Sequence, residues 1–245
     1  MFNISTKEEL VARAKAQSDL APEAYRSIVE LYYFARYFVS LYEARYHQLP
    51  IQVWNEYRNS LDHFVRHLTK SGLPPESERE NCRIDGHLRL MKGHIQRAAL
   101  DILKFNCHET DRWFLRQANS DEENVLSGVN DGMFLRTFYE LHKSAQEAFF
   151  RAKAEDSSLG ENAKYNKEVI SRYVDAAFKY EALRDHYENN LGNIAEARHR
   201  HEMIAQASAN LSFGSSVKAS LTANLIWATG SAIVGLAIGL YIAGG

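Results

Sequence analysis

The sequence predicts an all-α protein: a long-helix bundle with a heptad-bearing helix leading into one C-terminal transmembrane helix. Three observations carry this expectation. Apolar residues recur at the 3.6-residue period of an amphipathic helix through most of residues 1–210. No stretch shows the alternation of a half-buried strand. The run from Leu221 to Ala243 holds no ionisable side chain, and a bilayer core about 30 Å thick needs roughly 20 apolar residues.

The elements follow in order. Ser5 or Thr6 can cap a short first helix with Glu8 and Glu9 in its first turn. Pro22 opens a long helix, because a proline in the first turn loses no hydrogen bond. Its stripe is Ile28, Leu31, Tyr32, Ala35, Phe38, Val39 and Tyr42, and it ends near Gln48 to Pro50. A third helix, Ile51 to Lys70, carries Val53, Trp54, Tyr57, Leu61, Phe64, Val65 and Leu68 as its expected buried stripe. Gly72 and the Pro74–Pro75 pair end it. A fourth helical stretch, Glu78 to Ala118, is expected to break near Asn106 to Thr110, where polar residues interrupt its apolar pattern. Asn119 to Asp131 reads as a polar loop, Gly132 to Glu155 as a fifth helix, and Ser157 to Gly160 as a break.

The next helix, about Asn162 to Gln206, spaces its apolar positions alternately by four and three. Val169, Tyr173, Ala176, Tyr180, Leu183, Tyr187, Asn190, Ile194, Ala197, His201 and Ile204 form a heptad seam. Such a seam suits a supercoiled partner, and a lone polar layer such as Asn190 can fix its register. Packing on the chain's own helices is the equal alternative. The expected organisation is a helical bundle over 1–160, the heptad helix over 161–206, a juxtamembrane link over 207–218 and an anchor over 219–245.

Composition sharpens the division. Lysine and arginine number 29 and aspartate and glutamate 31, a formal net charge of −2. That balance excludes a strongly basic nucleic-acid binder, and no DNA partner is expected. Every charged residue lies between Lys7 and Lys218, so the mean hydropathy of −0.40 averages a charged helical part with an uncharged tail. Trp227 and Tyr241 lie toward the two ends of the tail, as interfacial rings do, and Lys218 stands just before it. The positive-inside tendency leaves the N-terminal part in the cytoplasm, as a single-pass tail anchor of the inner or plasma membrane if the source is bacterial. Met1 to Leu20 has no signal-peptide core. Within the tail Ser231, Gly235, Gly239 and Ala243 recur every four residues, a small-residue face that allows close helix packing in lipid. A homo-oligomer in the bilayer is therefore expected.

Signals for chemistry are sparse. Cys82 and Cys107 form no CxxC and imply no disulfide framework. No nucleotide, hydrolase or metalloprotease signature occurs, so no cofactor and no metal is expected. One motif stands apart. The third helix reads EYRNSLDHFVRH from Glu56 to His67, and Arg58-Asn59 followed by His63 has the form R-N-x-x-x-H. This resembles the HEPN superfamily of all-helical domains, over about residues 20 to 150. The resemblance implies that Arg58 would stabilise charge on a scissile phosphate, Asn59 would orient the site and His63 would act as general acid–base on RNA. Arg58 with Asp62 also has the spacing of an ordinary helix ion pair. In size and helicity the chain is similar to small membrane-bound HEPN-like proteins of prokaryotic antiviral defence, from which it departs in carrying its anchor at the C-terminus.

The resulting expectation is a tail-anchored membrane effector or accessory protein whose helical domain oligomerises or senses a protein partner. A membrane-held ribonuclease using Arg58 and His63 on RNA is the alternative. A non-enzymatic tail-anchored tether is the third reading.

Overall fold

A computed structural model describes residues 6–71, 78–158 and 167–209, and 218, 220, 222 and 224 singly. Among the described residues all regular structure is helical, as the periodicity predicts. The helices are α1 (Lys7–Asp19), α2 (Arg26–Tyr46), α3 (Ile51–Ser71), α4 (Glu78–Gln117), α5 (Ser120–Ser127), α6 (Met133–Ser158) and α7 (Lys167–Glu188), followed by α8 over 191–209. The chain divides after Asn190 into two compact units. The first holds α1 to α7 and the second begins with α8.

In the first unit α4 is the mast, 40 residues long and therefore about 60 Å at 1.5 Å per residue. It packs against α2, α3, α6 and α7, while α6 lies along α7 and α1 along α2. The core between them is aromatic. Phe38, Phe134, Phe138, Tyr173 and Tyr180 are fully buried. Phe38 meets Phe178 at 6.0 Å between ring centroids, and Phe138 meets Tyr187 at 5.6 Å. Such tilted pairs add to plain area burial.

The helix ends follow local chemistry. Thr6 caps α1, its Oγ1 accepting from the Glu9 amide at 3.2 Å. Pro22 opens a short 3-10 turn, Glu23–Tyr25, and α2 begins only at Arg26. His47 closes α2 in the left-handed region with φ of 53°. Before α6, Asn130, Asp131 and Gly132 all have positive φ, and at Gly132 the value is 83°, which favours glycine.

Three expectations are corrected. First, α4 does not break near Asn106. The Asn106 Nδ2 donates to the Ile102 carbonyl at 2.9 Å and to the Phe38 carbonyl at 3.2 Å. The polar side chain braces α4 to α2 from inside the core, and Cys107 and Thr110 are buried beside it. Second, the expected loop from Asn119 to Asp131 contains α5, which buries Val125 and Leu126. Third, the expected heptad helix is two helices. Asn190 donates its side-chain amide to the His186 carbonyl at 2.8 Å, satisfying an open carbonyl at the end of α7. Asn190 is therefore a cap and not a polar layer in a continuous seam.

Among the described residues no helix is long and apolar enough to cross a membrane. The expected span from Leu221 to Ala243, with Ser231, Gly235, Gly239 and Ala243, lies almost wholly outside the described residues.

Candidate functional site

The α3–α4 pairing decides what Arg58, Asn59 and His63 can do. These residues share one regular helix, and a rotation of about 100° per residue sets positions five apart some 140° apart. Arg58 is exposed, Asn59 is half-buried, and His63 turns inward toward α4. The structure does not bring Arg58 and His63 together. Asp62 pairs with Arg66 at 2.9 Å, so Arg58 does not make the i,i+4 ion pair its spacing allowed.

What surrounds His63 is a cluster of imidazoles. Its Nδ1 lies 3.2 Å from Nδ1 of His87, and its ring stacks on His94 at 5.2 Å. His94 Nδ1 lies 2.6 Å from Glu56 Oε2, which also accepts from Arg97 Nε at 3.0 Å. One turn further on, His67 is buried and hydrogen-bonded to the Tyr25 hydroxyl at 2.8 Å. The His63–His87 bond needs a donor nitrogen on one ring and an acceptor on the other, so it holds no more than one proton between the facing atoms. Burial lowers the basicity of His63, and the neighbouring His94 lowers it further. The cluster can hold and exchange a proton. Its guanidinium, Arg97, is already committed to Glu56. Among the described residues no group of three or more His, Cys, Asp or Glu side chains is arranged to hold a metal.

The outer face of α3 is the feature that sequence reasoning misread. Only Val53 of the expected stripe is buried outright. Trp54 is 57% exposed, Leu61 61%, Val65 50% and Leu68 49%, with Ile51 at 61% beside them. Positions 51, 54, 58, 61, 65 and 68 are spaced by three and four, so these five apolar residues and Arg58 form one continuous exposed stripe. The other face of α3, which carries Val53, Ser60 and His67, is buried. The signal was present in the sequence: α3 has apolar residues on more than one face, and only one face can meet α4.

The expected oligomer seam on α7 behaves in the opposite way. Tyr173, Tyr180, Leu183 and Tyr187 are buried, as is Ile194 on α8. The three tyrosines stand seven residues apart, and each hydroxyl donates within the chain. Tyr173 donates to Asp156 Oδ2 at 3.2 Å, Tyr180 to Asp111 Oδ1 at 3.3 Å and Tyr187 to Gln117 Oε1 at 2.8 Å. A buried tyrosine needs such an acceptor, and α4 and α6 supply all three. The α7 positions thus face the chain's own helices.

Comparison with protein-family models, with curated proteins and with solved structures finds no match.

Proposed function

We propose that this protein is a tail-anchored membrane effector or accessory protein that works as a homo-oligomer, with antiviral defence in a prokaryote as the setting that its resemblance suggests. The observation that carries the reading is the uncharged run from Ala219 to Gly245 after a charged helical bundle. A charge-free segment of that length has a bilayer as its natural solvent. The exposed α3 stripe supports the oligomer. An apolar face of this kind marks an interaction surface, and its alternating spacing is self-complementary across a two-fold axis. Antiparallel apposition of two α3 helices sets Ile51 against Leu68, Trp54 against Val65 and Arg58 beside Asp62 of the other copy. The ribonuclease reading draws no support from the arrangement of Arg58 and His63 within one chain.

The test separates anchor from oligomer. In carbonate-washed membranes the full chain is expected in the pellet, and Ile233→Lys with Ile238→Lys is expected to release it. In detergent, Val65→Glu, which sets a carboxylate against Trp54 of the other copy, is expected to lower the oligomeric mass through α3, and Gly235→Leu to lower it through the tail. A chain that washes off unaltered membranes overturns the anchor. A monomeric mass for the unaltered chain overturns the oligomer, and an oligomeric mass unchanged by both variants overturns both surfaces.

A further inference from the structure

We propose that the cleft between α1, α2, α4 and α7 is a binding site for a small amphipathic monocarboxylate that also carries an N–H or O–H donor. The cleft has a volume of about 410 Å³, within the range of roughly 300–1,000 Å³ usual for small-molecule sites. Its apolar wall includes Val11, Leu31, Phe34 and Ile170, which suits an acyl chain or aromatic ring.

Two residues of α4 give the cleft its chemistry. Lys92 and Gln96 are four residues apart, so both lie on the face of α4 that lines the cleft. Gln96 is only 6% exposed, yet its Oε1 has no hydrogen-bond partner. An amide oxygen left unpaired at such burial has lost its water without gaining a donor in exchange. Gln96 lines the cleft, and its terminal amide torsion is broad and roughly two-fold, so turning that amide is the route by which the oxygen would meet a donor bound there.

The charges select the ligand. Lys7 Nζ, on the same wall, is already compensated by Asp175 Oδ1 at 2.7 Å and by Ser171 Oγ at 2.8 Å. Glu30 also lines the cleft and has a partner of its own. Lys92 has no ion pair among the described residues. One uncompensated positive charge in a half-enclosed apolar cleft fits one carboxylate better than a dianionic phosphate, whose second negative charge would find no counter-charge there. The Gln96 oxygen asks for a donor close to that carboxylate. An N-acylated amino acid has all three parts: apolar body, amide N–H and single carboxylate.

The test uses N-benzoyl-L-phenylalanine as probe against the full chain in nanodiscs, by isothermal titration. Saturable one-to-one binding is expected. The neutral carboxamide of the probe is expected to bind about tenfold or more weaker, as is the probe itself to Lys92→Met, which keeps the apolar stem (tenfold is about 1.4 kcal/mol). Gln96→Leu is expected to weaken the probe several-fold while leaving the fold intact by circular dichroism. The proposal is overturned if the folded chain shows no saturable binding. It is equally overturned if carboxamide and carboxylate bind alike, or if Lys92→Met and Gln96→Leu both bind like the unaltered chain.

Discussion

Arg45 on α2 and Glu181 on α7 form a two-pronged ion pair, with Arg45 Nη1 2.6 Å from Glu181 Oε1 and Nη2 hydrogen-bonded to Oε2. Both side chains are largely buried. Burial works against the Arg45 charge, but the hydrogen bonds and field of Glu181 outweigh it, and Arg45 holds its proton above its ordinary value. Removing one partner strands the other, at a cost of about 3 kcal/mol. Arg45→Met is therefore expected to shift the urea midpoint downward strongly. Adding Glu181→Met should recover most of the loss, because an apolar pair needs no desolvation. A double variant no more stable than Arg45→Met would contradict this account.

Within the imidazole cluster, His63 should give the bundle a sensitivity to mild acid. His63 has a folded-state pKa below its ordinary value of about 6.5. Between the two values the unfolded chain binds more protons than the folded one, so stability falls as the pH falls. The contribution of neutral His63 is complete above the ordinary value and is lost as the pH drops through the lowered one. The melting temperature should fall as the pH drops below the ordinary histidine value of about 6.5, and His63→Gln should flatten that fall. An equal slope in the variant would assign the effect to other groups.

The α7 seam should behave as core. Leu183 is fully buried, and Leu183→Ala is expected to cost about 2–5 kcal/mol. Tyr180→Phe should cost about 1 kcal/mol, since Asp111 keeps His142 at 2.7 Å. Neither change should alter the mass of the particle in detergent. A loss of mass at unchanged stability would instead place these residues between chains.

Cys107 should be chemically silent. It is fully buried, and burial followed by the field of Glu181 pushes its thiol well above the ordinary range. The thiolate is the reactive form. In a Cys82→Ser background the folded chain should consume no thiol reagent until denaturant is added. Prompt labelling of the native protein would show that the core around α4 opens.

Periodicity made the helices legible, because burial repeats every 3.6 residues whatever the partner. The bounds of α3 came out within a residue. What periodicity cannot supply is which of two apolar faces meets the core. In α3 the face bearing Trp54 and Leu61 reads as core, and tertiary packing turned it outward. The error at Asn106 has the same root, since a polar residue in an apolar pattern looks like a break until a carbonyl across the interface, here that of Phe38, receives it. The Tyr173–Tyr180–Tyr187 spacing was visible, but their acceptors Asp156, Asp111 and Gln117 lie 17 to 70 residues away. For the cleft, nothing in the sequence joins Lys92 to Ile170, because only the fold puts α4 beside α7.

The place of α7 in the chain sets a timetable for synthesis. Its Glu181 follows Arg45 by 136 residues, an interval of roughly 7 to 27 s at translation speeds of about 5–20 residues per second. Until α7 emerges, Phe38 and Trp113 lack two of their ring partners, Phe178 and Tyr187. A nascent chain with uncovered aromatic rings is a substrate for cellular holding factors, and the apolar tail emerges later still. The last core helix of the bundle therefore leaves the ribosome only shortly before the uncharged run from Ala219 to Gly245 is made.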